Sequence, residues 1–130
     1  WINAEELSKA LNDRNIPGLM FRPIHIKPFY STGKGENYQG VEVYVTDKDA
    51  APLSLTQFYV MEELARLYPE QGKIFDKADP KRFGMFDKVC GSKEIRRRFA
   101  KNYKVADIED YWNKDAEAFR TASAKYHLYK

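Results

Sequence analysis

The 130-residue sequence predicts an α+β domain, a small mixed sheet covered by about four helices. Three patterns lead there. Apolar residues recur at helical spacing in four separated stretches, two segments alternate at the period of a strand, and Pro and Gly punctuate the chain between them. Residues 1–130 suit one domain with a modest core.

The elements follow in order. Asn3 and Glu6 have the spacing of an N-cap and its reciprocal acid, and Leu7 and Leu11 share a face, so a helix is expected over Ala4–Asn12. Asn15 and Pro17-Gly18 stop it. Leu19–Lys27 reads as a strand, with Phe21 and Pro23 to one side and Arg22, Ile24 and Ile26 to the other; Pro23 marks an edge or an interruption. A loop of about a dozen residues, long for a compact domain, leads to a second strand, Val41–Thr46, whose alternating valines predict one buried face. Ser54 is the expected cap of a helix carrying Phe58, Met61, Leu64, Ala65 and Tyr68, which Pro69 ends. Residues 70–84 are polar, with a short strand expected around Lys73–Phe75. Phe83, Phe86 and Val89 read as anchors in irregular chain. Ser92–Tyr103 predicts a helix with Ile95 and Phe99 inward, and Asp107 opens a final helix carrying Ile108, Tyr111, Trp112, Ala116 and Phe119. Tyr126–Lys130 resembles a terminal strand.

Composition excludes several classes. Lys and Arg number 22 against 19 Asp and Glu, a net charge of +3, which neither requires nor excludes an anionic partner. An apolar fraction of 43% with 15% aromatics argues against disorder. No apolar run approaches the ~20 residues of a membrane span, and no secretion signal is recognisable. The start on Trp1-Ile2, almost directly into a helix, leads to the expectation of a missing upstream portion. Cys90 alone allows no internal disulfide and no thiolate metal cluster.

The residues that bear chemistry do not assemble a reaction centre. Gly33-Lys34-Gly35 invites a phosphate-loop reading, but a strand follows where a Walker loop requires a helix. Ordinary loop geometry competes with a loop whose Lys34, Asn37, Tyr38 and Gln39 offer a sugar or peptide hydrogen bonds and an aromatic face. His25 and His127 cannot alone supply a three-ligand zinc site. His25 is either a hydrogen-bonded structural histidine or a ligand contact, if its strand face lines a cleft. Asp47, at the end of the valine strand, either binds a hydroxyl or forms an Asx turn with the Asp-Lys-Asp that follows. Glu36, Glu42, Asp47 and Asp49 offer carboxyls without the apolar surroundings that raise a pKa for acid catalysis. Asp76, Asp79 and Asp87 lack calcium-loop order. Ser31, Ser54 and Ser92 read as loop or cap residues, and there is no nucleophile elbow. Arg96, Arg97 and Arg98 suit a solvated helix face better than a nucleic-acid surface. The expectation is no catalytic residue, no metal, no cofactor and no nucleic-acid partner.

Taken in order, WINAEELSKALNDRNIPG, FRPIHIKP, ENYQGVEVYVTD, FDKVCG, DIEDYW and the closing Phe119-Arg120 with Tyr126-His127-Leu128-Tyr129 resemble the C-terminal domain of bacterial peptidoglycan exo-beta-N-acetylmuramidases, long known as a domain of unknown function. The likeness runs over essentially the whole chain. Tyr38-Gln39-Gly40 stands where that family commonly has Cys-x-Gly, while Arg22, Pro23, Asp47, Phe86, Asp87, Gly91 and Trp112 match recurring positions. The resemblance implies a longer enzyme whose Rossmann-like N-terminal domain, absent here, carries the catalytic carboxylates. Residues 1–130 would then be an auxiliary domain that helps form the cleft. The implied substrate is a peptidoglycan fragment that releases N-acetylmuramic acid from its non-reducing end, which implies the periplasm or cell surface. Arg22, Lys34, Asn37, Tyr38 and Asp47 are the cleft-facing candidates, joined by His25, because a lactyl carboxylate favours a cation and sugar hydroxyls favour Asp or Asn. The alternative is a noncatalytic protein-interaction or structural domain of a cell-envelope protein.

Overall fold

The computed structural model describes residues 1–30 and 33–128, which form two compact units, Trp1–Lys77 and Ala78–Lys130. The first unit opens with α1 (Ala4–Asp13). Asn3 is extended, and its side-chain oxygen accepts from the Glu6 N–H at 2.9 Å. The reciprocal half of the cap differs from expectation. Tyr68 supplies it: its phenol oxygen accepts from the Asn3 N–H at 2.9 Å, and its hydroxyl donates to Glu6 Oε2 at 2.8 Å. Asn15 and Gly18, with φ of 51° and 68°, turn the chain out of the helix. Gly18 is required for space as well, since a Cβ there would lie 2.2 Å from the Asp47 carbonyl oxygen.

Two strands follow, β1 (Leu19–Ile26) and β2 (Tyr38–Val45), paired antiparallel with Leu19 opposite Val45 and Ile26 opposite Tyr38. The expected mixed sheet is thus a two-stranded antiparallel hairpin among the described residues. β2 also starts earlier than the valines suggest, because pairing with Ile24, His25 and Ile26 draws Gly40, Gln39 and Tyr38 into the strand.

Helix α1 satisfies the Phe21 peptide groups. Ser8 Oγ and Asn12 Nδ2 each donate to the Phe21 carbonyl at 2.8 Å, and the Phe21 N–H donates to Asn12 Oδ1 at 2.9 Å. That arrangement protects a strand edge with helix side chains. Beneath it, Leu7, Leu11, Ile16, Phe21 and Leu64 form the core cluster, with Leu19 and Val41 packed on it. The valine face is not buried as expected: Val43 and Val45 remain 41% and 49% exposed. One ten-residue helix cannot cover the whole of a hairpin face.

A 3-10 turn (Leu53–Leu55) leads into α2 (Thr56–Leu67). Ser54 lies inside that turn and caps nothing, whereas Phe58, Met61, Leu64 and Ala65 are buried as their spacing predicts. α2 ends at Tyr68, and Gly72 closes on it so tightly that a Cβ would fall 2.0 Å from the Leu64 carbonyl oxygen. Arg14 bridges α1 and α2, donating to Glu63 at 2.7 Å with Glu62 at 3.3 Å, both acids being buried. Residues expected as a strand around Lys73–Phe75 instead lead into a short helix, α3 (Ile74–Lys77). Its local turn bonds, Ile74 N–H to Gly72 and Asp76 N–H to Lys73, satisfy backbone that has no strand to pair with.

The second unit is helical: a 3-10 turn (Pro80–Arg82), then α4 (Phe83–Val89), α5 (Lys93–Asn102), α6 (Ala106–Asn113), α7 (Ala116–Ser123) and a last 3-10 turn (Ala124–Tyr126). The expected four helices become seven α-helices among the described residues. Phe83, Phe86 and Val89 sit on a regular helix, and Val89 is exposed rather than an anchor. Ser92 caps α5 as expected, accepting from the Glu94 N–H at 3.1 Å. Ile95, Phe99, Tyr103, Val105 and Ile108 are buried. A bidentate pair, Arg96 Nε to Asp87 Oδ1 at 2.7 Å and Nη2 to Oδ2 at 2.8 Å, ties α5 to α4, with the guanidinium over the Phe83 ring.

The expected final helix breaks in two at Lys114 and Asp115, where the Asn113 side-chain amide donates to the Glu109 carbonyl at 3.0 Å. Side-chain competition of this kind is why Asn is a poor helix-interior residue. Phe119, beyond the break, is exposed. Of the expected terminal strand, Tyr126 lies in the 3-10 turn and His127 and Leu128 are not in a strand. Tyr129 and Lys130 lie outside the described residues, as does Ser31.

Candidate functional site

The loop end of the hairpin gathers polar side chains of the first unit. β1 ends at Ile26 and β2 begins at Tyr38, with the connecting loop shaped by two glycines. Gly33 and Gly35 have φ of 77° and 82°, the left-handed region where a side chain is strained. The Gly35 N–H donates to Pro28 O, and the Glu36 N–H to Gly33 O, each at 3.0 Å. Gly33 has a second reason to be glycine. A Cβ there would lie 2.2 Å from Tyr38 Oη and 2.4 Å from its ring, so the missing side chain lets the Tyr38 ring close onto the loop.

Two hollows meet at this place. The larger, about 380 Å³, is lined by His25, Ile26, Lys27, Asn37, Tyr38 and Gln39. The smaller, about 180 Å³, is lined by Trp1, Ile2 and the same Asn37, Tyr38 and Gln39. The walls are braced from α1: Gln39 Oε1 accepts from the Ala4 N–H at 3.1 Å, which leaves the Gln39 amide nitrogen as a donor. His25 Nε2 lies 2.9 Å from Glu5 Oε1. That imidazole bond, followed by one from its own backbone N–H, holds the Glu5 carboxyl below the ordinary carboxylate range. Among the described residues Lys27 has no ion-pair partner and Asn37 no hydrogen bond, so a cation and an amide remain available. None of the residues lining the two hollows is a carboxylate. The set can bind a hydroxyl- and amide-bearing anion, but it lacks the paired acids of glycosidic chemistry.

The candidates from the sequence divide. His25, Asn37 and Tyr38 come together in the larger hollow. Arg22, Lys34 and Asp47 do not line it. Arg22 points along the uncovered side of the hairpin, where it donates to Tyr44 Oη at 2.9 Å and stacks 5.0 Å from that ring. Tyr44 in turn donates to Glu42 at 2.8 Å, and that bond, with burial second, pushes its phenol up. Lys34 stands on the loop with its ammonium 5.8 Å from the Phe29 ring centroid. Asp47 adopts the turn alternative, accepting from the N–H groups of Asp49 at 2.9 Å and Ala50 at 3.3 Å. It is nine residues from Tyr38, roughly 30 Å along an extended strand.

Sequence reasoning did not single out Lys27 and Trp1, and it named Gln39 only among the polar groups of the loop. For Gln39 the signal was the hairpin register: it pairs with His25 across the strands. Trp1 carried no such signal, because its approach to Tyr38 depends on how α1 docks.

In the second unit a hollow of about 330 Å³ includes Cys90, Ser92, Tyr111 and Trp112. Burial first, then Asp87, pushes the Cys90 thiol up, which keeps it a poor nucleophile. Arg97 and Arg98 pair with Glu94, at 3.7 and 3.1 Å, and Arg98 also reaches Asp110.

A helix-backed hairpin whose loop end offers an aromatic edge, amides and a cation without an ion-pair partner among the described residues has the parts of a ligand-contacting module. Residues 1–129 match the family described as exo-beta-N-acetylmuramidase NamZ, C-terminal, and the chain belongs to that family. It is 30% identical over 129 residues to the peptidoglycan beta-N-acetylmuramidase NamZ of Bacillus subtilis (strain 168), covering 99% of this chain and 30% of that protein. It is 53% identical to a DUF1343 family protein from Bacteroides fragilis NCTC 9343 in a crystal structure, with a TM-score of 0.95 over all of this chain and 34% of that one. The chain thus spans about a third of the length of these relatives, and its family association is with glycosidases of peptidoglycan.

Proposed function

We propose that this chain is a noncatalytic, substrate-contacting part of a longer exo-acting beta-N-acetylmuramidase, holding a peptidoglycan fragment while carboxylates in an N-terminal domain cleave off N-acetylmuramic acid. The observation that carries this is the match over residues 1–129 to a muramidase C-terminal family of whose relatives the chain spans about a third. The hollow supports it: Tyr38 offers an aromatic face, Asn37 and Gln39 offer amides to the N-acetyl and hydroxyl groups, and Lys27 offers a cation to the lactyl carboxylate. Of the candidates from the sequence, His25, Asn37 and Tyr38 are assigned to the sugar. Such a substrate assigns the enzyme to the periplasm or cell surface. The test is to assay this chain, and the same chain joined to the N-terminal part of its parent protein, on a muramyl disaccharide. Release by the longer protein alone is expected; turnover by the isolated chain would overturn the noncatalytic assignment.

A second reading takes the hairpin loop as a protein contact, with the missing N-terminal part as its partner. It is favoured by Phe29 and Tyr30, which stand 85% and 78% exposed, uncommon for neighbouring aromatics. Replacing both by Ser separates the two. Unchanged sugar binding with weakened association of separately made parts favours the contact reading, and the reverse favours the glycan.

A further inference from the structure

We propose that Glu5 is a positioning residue of the larger hollow: it fixes which nitrogen of His25 carries the proton, so that His25 and Gln39 together present one acceptor and one donor to an acetamido group. This rests on the glycan reading above and adds to it the residue that sets the hydrogen-bonding polarity of the site.

The first turn of α1 holds both members of the pair. His25 and Gln39 stand opposite each other across β1 and β2, and both line the larger hollow. Consecutive helix residues reach them: the Ala4 N–H donates to Gln39 Oε1 at 3.1 Å, and Glu5 Oε1 lies 2.9 Å from His25 Nε2. Each bond occupies one end of a side chain that could otherwise act as donor or acceptor. With its oxygen taken, the Gln39 amide turns only its NH2 group to a ligand. An ionised carboxylate can only accept, so the proton of the neutral imidazole stands on Nε2, and Nδ1 is left as an acceptor. The same bond lowers the Glu5 pKa, which keeps that carboxylate ionised at neutral pH.

The resulting pattern matches a secondary amide, whose N–H and C=O point in opposite directions. Directly opposed strand residues have Cβ atoms about 5 Å apart, which leaves room for such a group to donate to His25 Nδ1 and accept from Gln39. With the imidazole proton on Nδ1 instead, both side chains would be donors and the acetamido N–H would go unmatched. A sugar hydroxyl is indifferent to the exchange, because it can donate or accept. Glu5 lines neither hollow, so its effect passes through His25.

The test exchanges Glu5 for a side chain that can only donate. The 130-residue chain and its Glu5→Lys and Glu5→Gln variants are titrated at about pH 8, where an imidazole is neutral, with two sugars of equal charge. One is N-acetylmuramic acid; the other is the same 3-O-lactyl sugar with a hydroxyl in place of the acetamido group. Imidazole nitrogen signals report the His25 tautomer, and backbone amide signals report binding. The parent chain is expected to hold the proton on Nε2 and to bind the acetamido sugar about tenfold tighter than the hydroxyl sugar, the worth of about one hydrogen bond. Glu5→Lys moves the proton to Nδ1 and reduces that preference to less than about twofold, while hydroxyl-sugar affinity stays within about twofold of the parent. Glu5→Gln, whose amide can accept or donate, falls between. If the parent carries the proton on Nδ1, or if Glu5→Lys leaves the tautomer or the preference unchanged, the positioning role is overturned and the glycan reading stands. If neither sugar shifts the His25, Asn37 and Gln39 signals at millimolar concentration, the glycan reading falls and the role of Glu5 with it.

Discussion

Gly33 and Gly35 make the same backbone demand and differ in what surrounds them, which turns the pair into an internal control. Both have positive φ, so alanine at either costs about 1 kcal/mol of strain. At Gly33 the new methyl also meets the Tyr38 ring, while at Gly35 nothing lies within 4 Å. Gly33→Ala should therefore lower the urea midpoint more than Gly35→Ala at unchanged m-value, and it alone should displace Tyr38 and weaken sugar binding. Glu5 gives a second prediction at this scale. The His25 bond lowers its pKa, so the native pairing is intact above the carboxyl's unfolded pKa and is lost as pH falls through the depressed folded one. In His25→Ala the Glu5 carboxyl, followed by NMR, should titrate closer to the ordinary carboxylate range. The glycines and His25 were legible as candidates because their residue types restrict geometry or carry chemistry. Lys27 was not, because a lysine becomes a site residue through its neighbours, and Gln39 was named only among the polar groups of the loop.

Helix ends and helix pairs carry the next level. Arg14, on the turn after α1, is pulled down by burial but raised overall by its hydrogen bonds to Glu63 and Glu62. Removing it leaves two buried acids of α2, of which Glu63 keeps Arg66 at 2.7 Å. Arg14→Met should cost about 2–3 kcal/mol by chemical denaturation, because it removes a buried ion-pair partner from both acids. The Asp87–Arg96 pair between α4 and α5 behaves differently with acid. Its Arg96 bonds lower the Asp87 pKa, so its contribution is complete above the unfolded aspartate value and disappears as pH falls through the depressed folded one. Asp87→Asn should lose about 1–2 kcal/mol at neutral pH, and the gap from the parent chain should close toward strongly acidic pH. At this scale periodicity located α1, both strands, α2 and α5, with α1 and α5 also capped as expected. It misread Phe83–Val89 and the stretch after Asp107, where helices of seven and eight residues begin and end within the span of two or three apolar repeats.

At the scale of the whole molecule, the formal net charge is +3, so a small anionic ligand is met by individual cations rather than by a strong overall field. If Lys27 is the single cation meeting the muramic carboxylate, its contribution is that of one exposed ion pair, up to about 1 kcal/mol. Raising ionic strength from about 0.05 to 0.5 M should then weaken N-acetylmuramic acid binding less than about fivefold, measured by titrating the chain with that sugar and following the Asn37, Tyr38 and Gln39 amide signals. The family and the α+β class were legible by order of segments and by spacing, since cap residues, strand alternation and turn glycines act over a few neighbours. The sheet's size, the exposure of Val43 and Val45, and the separation of Asp47 from Tyr38 were not. The sequence by itself determined where α1, the two strands and α2 lie and which family they belong to, because those signals are local or follow the order of segments. Tertiary structure decided that His25, Lys27, Asn37, Tyr38, Gln39 and Trp1 share one end of the hairpin while Arg22 and Asp47 are spent elsewhere. Strand register and the docking of α1 bring distant residues together, and no local pattern encodes that distance.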